Sequence, residues 1–333
     1  MAEAASFNQS PETAIEKNTF LQLAKATTTL PQALMALQSI AGHHGFYEQL
    51  ALEELGQKIT LPARPAPPTP AEMDAVKNNP GFQRAVHAIR LGIRQEGVKE
   101  WNYTAGLVDA QGKRGRMTDR EKQAAAQWAC EMEIWDRCIS STERTSQYDV
   151  NHRFPMPFKE EVLSRTRDIN LEAAYVYGLI RQESRFVINA RSNVGASGLM
   201  QVMPRTAKWT AKKIGLKNFQ PDQLNQRDTN IAIGTGYLKL VLDNFHGSMP
   251  MAAAAYNAGP SRPRKWRNGP MLEGAIWTEC IPFTETRDYV KKVLSNTTAY
   301  AALITGEPQS LKARLGKIGP REKSEPEDDN DLP

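Results

Sequence analysis

Cysteine is scarce: the 333 residues hold only Cys130, Cys138 and Cys280. Three thiols cannot build a disulfide scaffold, and no C-x-x-C or Cys/His spacing predicts a zinc site. Cys130 and Cys138 lie in a helical pattern, which separates them by about 12 Å along one helix. That is too far for a bridge unless the helix breaks between them. Buried free thiols are therefore expected. Long apolar runs are also missing, and none approaches the ~18 residues of a membrane helix. The first stretch, MAEAASFNQSPETAIEKN, has early acids and no apolar centre, so it does not read as a signal peptide. Taken alone, that points to the cytoplasm or to a chain whose native start is missing. Strand-like alternation and internal repeats are absent too, leaving helical periodicity as the dominant pattern.

Acidic charge is in deficit over most of the chain. The formal charge is +5, and the final segment REKSEPEDDNDLP carries −4, which leaves +9 on residues 1–320. A solvated cationic surface is the ordinary reading, and an anionic polymer is the sharper one. No basic stripe interleaved with aromatics supports a nucleic-acid partner.

Pro31 to Gln57 predicts two helices around GHHG, and Leu61 to Asp74 (LPARPAPPTPAEMD) predicts an extended Pro-rich connector. Single helices are expected over Gly81 to Gly97 and over Asp119 to Ser140. The second would put Ala126, Cys130, Ile134 and Cys138 on one stripe. Shorter helices follow RFPMPF, up to about Ile304. Beyond Gly306 the apolar periodicity fades, and a disordered acidic tail is expected.

Four stretches have residues suited to chemistry. LEAAYVYGLIRQES predicts a helix that brings Glu183 beside Leu179 and Ile180, where desolvation raises a carboxyl pKa toward that of a useful general acid. A solvated Glu at a fraying helix end is the alternative. SNVGASGLMQVMP offers Gly195 and Gly198 for close backbone approach, and Gln201 among apolar neighbours. An ordinary glycine loop beside a Met-lined core would look the same. AYNAGP sets Tyr256 and Asn257 at a helix end, with capping as the plain reading. IPFTETRDYV starts a helix bearing Glu285, Arg287 and Tyr289, as a capped, salt-bridged helix start would.

Each stretch alone is weak, but RQES, GASGLMQVMP, AYNAGP and IPFTETRDYV in this order closely resemble the catalytic domain of soluble lytic transglycosylases. That is a lysozyme-like family acting on peptidoglycan, and the resemblance runs from about Phe154 to Thr305. HGFYEQLALEELGQ also resembles the last helix pair of the family's α-superhelical domain, and residues 81–143 resemble its linker helices. The implied fold is mainly α: superhelical and linker helices followed by a lysozyme-like α-rich catalytic domain. The implied division is 1–60 as the end of the superhelical domain, 61–80 as the connector and 81–150 as the helical linker domain. The catalytic domain would span 151–306, with the acidic tail over 307–333.

The resemblance implies that Glu183 is the catalytic residue. It places Ser192 near the sugar or its N-acetyl group, and Gly198, Gln201 and Met203 along the cleft. Tyr256 would lie close to the acid, Glu285 would contribute to glycan or peptide binding, and Asn257 enters as a motif member. Met200, Met203 and Tyr256 would line the cleft with apolar surface. Phe186, Trp209, Trp266 and Trp277 are further candidates for stacking on sugars, although core packing is the commoner fate of such residues.

The implied reaction uses one acid. Glu183 protonates the oxygen of the bond from N-acetylmuramic acid to N-acetylglucosamine, then takes the proton of the C6 hydroxyl as it attacks C1. A 1,6-anhydromuramic end results, with no metal or cofactor. Ordinary glycosidases use two carboxylates, and the next acid after Glu183 is Asp222. The competing readings are a muramidase on the same fold and a non-catalytic peptidoglycan-binding scaffold. Expected partners are peptidoglycan glycan strands, with cell-wall enzymes docking on the helical region. No nucleic acid, no transmembrane segment and a monomeric state are expected. The family works in the periplasm, so a longer, exported native protein is expected.

Overall fold

Several helices start at capping side chains, and several end at residues with positive φ. In the computed structural model, residues 30–106, 117–143, 145–321 and 332–333 are described. They form two compact units. The first contains the chain through Leu61, Phe158–Ser184 and the chain from Ile188 onward; the second contains Pro62–Pro157 with Arg185–Val187.

The first unit begins with α1 (Leu30–Ile40) and α2 (Phe46–Glu54), joined through GHHG, where Gly45 has φ +93°. This matches the expected helix pair. Gln49 of α2 is buried and its Nε2 donates to the Ser295 carbonyl at 3.1 Å. Tyr47 donates to Glu279 at 2.5 Å, and Lys291 donates to Tyr47 at 2.9 Å. These bonds tie α2 into the same unit as the C-terminal helices.

The second unit holds six helices among the described residues: α3 (Pro70–Lys77), α4 (Pro80–Arg90), α5 (Arg94–Thr104), α6 (Asp119–Glu131), α7 (Trp135–Thr142) and α8 (Val150–Arg153). Thr69 and Glu72 form a capping box that starts α3 inside the expected connector. The two long helices expected here are each broken. The amide of Ile93 donates to the Ala88 carbonyl around Gly92 (φ +84°), and that of Ile134 donates to Ala129 around Glu133 (φ +58°). Both are left-handed C-terminal caps. The second cap folds α7 back on α6 and brings the Cα atoms of Cys130 and Cys138 to 5.1 Å, where they form a disulfide. The expected free thiols and the continuous stripe are thereby corrected. Around the bridge, Phe82, Trp101 and Trp128 pack with ring centroids 4.7 to 6.5 Å apart.

The first unit resumes with α9 (Lys159–Asp168) and α10 (Ala173–Glu183), then α11 (Pro204–Lys213), a 3₁₀ turn (Pro221–Asn225), α12 (Arg227–Asn244), α13 (Met249–Ala258) and α14 (Ser261–Trp266). Strand β1 (Leu272–Glu273), α15 (Gly274–Glu279) and α16 (Thr284–Thr305) follow. The central contact is between α10 and α16. Gly178 lets the two backbones approach closely, because a Cβ there would lie 2.5 Å from Thr297 Oγ1 and 3.0 Å from the Val293 carbonyl. Tyr177 and Tyr300 stack across the same pair at 5.2 Å. Val176, Leu179 and Ile180 are fully buried.

The expected disordered tail begins too early. After Gly306, Ser310 caps α17 (Leu311–Leu315), and β2 (Lys317–Ile318) pairs antiparallel with β1. Leu311, Leu315 and Ile318 are buried, so apolar residues too few to show a period still anchor residues 307–321. Residues 322–331 of that expected tail lie outside the described residues. Among the described residues, no helix is long and apolar enough to cross a membrane.

The closeness at Gly178 is testable. Gly178→Ala is expected to lower stability by about 1–3 kcal/mol, the usual cost of overpacking, read as a lower urea midpoint at unchanged slope.

Candidate active site

Glu183 is the last residue of α10, and the chain leaves the helix sharply after it. Ser184 caps the exit by donating its hydroxyl to the Leu199 carbonyl at 2.7 Å. Arg185 and Phe186 then adopt positive φ values of 50° and 66°. Two consecutive non-glycine residues there are unusual and costly, a common feature of functional sites.

The loop that follows is braced from within. Ser192 Oγ accepts from the Ala196 amide at 2.9 Å, and Ser197 bridges to both Arg191 and Val202. Gly198 has φ +80°, and a Cβ on it would meet Asn230 Nδ2 at 2.1 Å and the Leu224 carbonyl at 2.6 Å. Gln201, at φ 44°, donates its side-chain amide to the carbonyls of Gly198 (2.7 Å) and Ala190 (3.0 Å). Its nitrogen therefore holds the loop. Met203 leads into α11 and is 40 % exposed, whereas Met200 is fully buried against Gly234. Met200 belongs to the core and does not line a cleft.

Asn230 is a residue that sequence reading missed. It is buried on α12, accepts from the Met200 amide at 2.8 Å and donates to the carbonyls of Ser197 and Leu224 at 2.9 Å each. Its one signal is an amide in the otherwise apolar helix face NIAIG, which is too common a pattern to single out.

Four groups meet electrostatically at the end of α10. Tyr289 of α16 donates its hydroxyl to Glu183 Oε1 at 2.6 Å. Tyr256 at the end of α13 donates to the Met200 carbonyl at 2.8 Å, and its ring lies 5.3 Å from that of Tyr237. Burial and the neighbouring Glu183 push both phenols well above their usual pKa. Glu285 is exposed, and its charge also acts on Glu183. Asn257 Oδ1 accepts from Thr286 Oγ1 at 2.6 Å, which links α13 to the start of α16.

Glu183 is half-buried. Desolvation pushes its carboxyl up to about 8, the charge of Glu285 pushes the same way, and the Tyr289 hydrogen bond pulls it down. Desolvation wins, so Glu183 is mostly protonated at neutral pH. Tyr289 is the second residue the sequence reading left without a role, although it stood in the quoted TETRDYV motif.

The remaining predicted residues divide. Phe186 and Trp277 are buried, as core residues are, while Trp209 and Trp266 are partly exposed. The hydrogen bond of Ser192 stays within its own loop. Among the described residues, no three His, Cys, Asp or Glu side chains converge as metal ligands.

Residues 162–274, which include this entire loop and the end of α10, match the family described as "Transglycosylase SLT domain". The chain carries an SLT domain. Residues 280–309, essentially α16, match "Soluble lytic transglycosylase helical domain". The chain is 33% identical over 284 residues to a soluble lytic murein transglycosylase of Salmonella typhimurium, covering 84% of this chain and 42% of that protein. The corresponding Escherichia coli K12 protein is 31% identical over 286 residues, covering 85% of this chain and 43% of that one. The chain thus spans less than half the length of these curated relatives. Among solved structures, an inactive glutamate-to-glutamine mutant of the lytic transglycosylase Slt from Pseudomonas aeruginosa superposes with a TM-score of 0.79 at 31% identity. It covers 93% of this chain and 50% of that chain. The 70 kDa soluble lytic transglycosylase of Escherichia coli gives 0.75 at 26% identity, covering 94% and 50%. The same enzyme has also been solved in complex with bulgecin A.

Two expectations follow for the SLT domain. Tyr289→Phe removes a bond that favours the carboxylate. The Glu183 pKa is expected to rise by about 1–2 units, from the ~1.5–3 kcal/mol of a hydrogen bond to a charged group, as followed by side-chain carboxyl NMR. The folded-state pKa of Glu183 lies above its unfolded value, so ionisation opposes folding increasingly between about 4.5 and about 8. Glu183→Gln is expected to match the wild type in stability at pH 4 and to exceed it by a few kcal/mol above pH 8, as measured by denaturant unfolding at both pH values.

Proposed function

We propose that this chain is a peptidoglycan lytic transglycosylase that uses Glu183 first as acid and then as base. The observation that carries the proposal is the state of Glu183: one desolvated carboxyl, raised to about 8, with a phenol donor placed to hold the carboxylate once the proton leaves. The inactive glutamate-to-glutamine mutant of the Pseudomonas relative supports a glutamate as the essential group.

The acid form of Glu183 donates its proton to the oxygen between N-acetylmuramic acid and N-acetylglucosamine, and the C1–O bond breaks. The acetamido oxygen of the substrate stabilises the cationic C1. The resulting Glu183 carboxylate accepts a hydrogen bond from Tyr289, then takes the proton of the C6 hydroxyl as that oxygen bonds to C1. One bond breaks, one forms, the proton returns to Glu183, and no water is consumed. The intramolecular nucleophile benefits from high effective concentration. Ser192, Gly198, Gln201 and Met203 shape the loop beside this centre, and Tyr256 holds that loop through the Met200 carbonyl. Asn257 keeps α13 aligned with α16, and Glu285 contributes to glycan or peptide binding.

A muramidase is the second reading, favoured by the charge of Glu285 acting on Glu183. A hydrolase would pair the acid with a carboxylate that activates water. The proposed location is the periplasm. The Cys130–Cys138 bridge supports an oxidising compartment, and the relatives are bacterial soluble murein transglycosylases. Cell-wall enzymes docking on the helical region are proposed as further partners.

Mass spectrometry of the soluble fragments from digested peptidoglycan tests the reaction. Fragments one water lighter than hydrolysis products are expected, and Glu183→Gln should release none while keeping the fold. Ordinary reducing ends would establish a muramidase, and full activity in Glu183→Gln would remove Glu183 from its role.

A further inference from the structure

The 38 residues between Glu183 and Asp222 contain no acid and seven cations. Five of the cations, Arg205, Lys208, Lys212, Lys213 and Lys217, lie on α11 or just past its end. At 100° per residue, Ala207, Thr210 and Ala211 share one arc of the helix and are buried. Arg205, Lys208, Lys212 and Lys213 fall on the opposite arc and are exposed, with Trp209 at its centre. Among the described residues, no carboxylate pairs with Arg205, Lys208, Lys212 or Lys217. The next acid but one, Asp228, is held by Arg227 at 2.7 Å.

This face is connected to the candidate active site. Met203, which ends the GLMQVM segment, is the residue that leads into α11. Trp209 is only partly buried. Lys213 sits 5.1 Å over its ring, and its edge meets Tyr237 at 6.5 Å. Tyr237 in turn contacts Tyr256, whose hydroxyl bonds Met200. A cationic arc around an accessible indole, three rings from the catalytic acid, fits a polymer that offers sugar faces and carboxylates together.

We infer that the exposed face of α11 is an accessory substrate-binding surface for the carboxylate-bearing peptide stems of a peptidoglycan strand, with Trp209 available to a sugar ring. The inference rests on the proposed peptidoglycan substrate. Like charges this close repel one another, and an anionic partner relieves that repulsion. Stem carboxylates supply the charge at the spacing of a polymer. The surface would hold the strand beside the cleft without touching the bond that breaks.

The test is co-sedimentation of the full chain with insoluble peptidoglycan at low salt, using the triple variant Arg205→Gln/Lys208→Gln/Lys212→Gln. A control variant, Lys58→Gln/Lys292→Gln/Lys317→Gln, loses the same net charge elsewhere on the same unit. The α11 variant is expected to bind about tenfold more weakly, the scale of three exposed ion pairs, and the control is expected to bind as the wild type does. Amidating the stem carboxylates should weaken the wild type to the level of the α11 variant. The difference should vanish toward ~1 M salt, where the Debye length is about 3 Å. Equal binding by the α11 variant, an equal loss in the control, or indifference to amidation would overturn the inference. So would an α11-dependent affinity for anionic phospholipid vesicles that exceeds the affinity for peptidoglycan. Fragments are analysed in the same samples. Charge-dependent binding by a wild type that releases no anhydromuramic ends would sink the transglycosylase reading and leave this surface standing.

Discussion

The close approach of α10 and α16 at Gly178 is the constraint on which the rest of the site depends. With no side chain at Gly178, the α10 backbone settles against Thr297 and Val293. That contact sets the axial register of the two helices. Five residues along α10 it delivers Glu183, and two turns back along α16 it delivers Tyr289, so that hydroxyl and carboxyl meet at 2.6 Å. Glu285 and Thr286 come with the same helix. Thr286 then fixes Asn257 and the end of α13. One helix crossing thus aligns residues that lie more than a hundred positions apart.

The electrostatics of Glu183 come from the same packing. The burial that holds α10 in place strips water from its terminal acid, and this outweighs the stabilising bond from Tyr289. An acid held neutral at pH 7 can donate a proton, and a nearby phenol keeps the resulting anion from being prohibitively costly. The polar groups around it are mostly committed to backbone: Asn230 to three sites, Gln201 to two, and Tyr256 to one. They brace the loop without hydrogen-bonding Glu183.

The second unit solves a different problem. Its helices are short, and short helices carry little stability of their own. Its core compensates with three packed aromatic rings and a disulfide across a sharp helix corner. The caps at Gly92 and Glu133 produce those corners.

The helical class was legible in the sequence because apolar spacing and proline breaks are local. So were the four motif stretches, and with them the family, because each lies within a few consecutive residues. Boundaries were less legible. A glutamate in a left-handed cap leaves no mark in composition, so one helix was expected where two stand, and free thiols where a bridge forms. The anchoring of residues 307–321 was hidden because three apolar residues make no period until β1 supplies a partner strand. Met200 looked like a cleft residue until Gly234 was brought against it. Tyr289 and Asn230 had residue types suited to the site, but what they touch lies 106 and 30 residues away. By itself, then, the sequence determined the helical class, the loop glycines and the motif that carries Glu183, since these follow from neighbours along the chain. Which phenol reaches that acid, which amide braces its loop and how far its pKa rises were decided only by tertiary structure, because distance and desolvation belong to packing between segments.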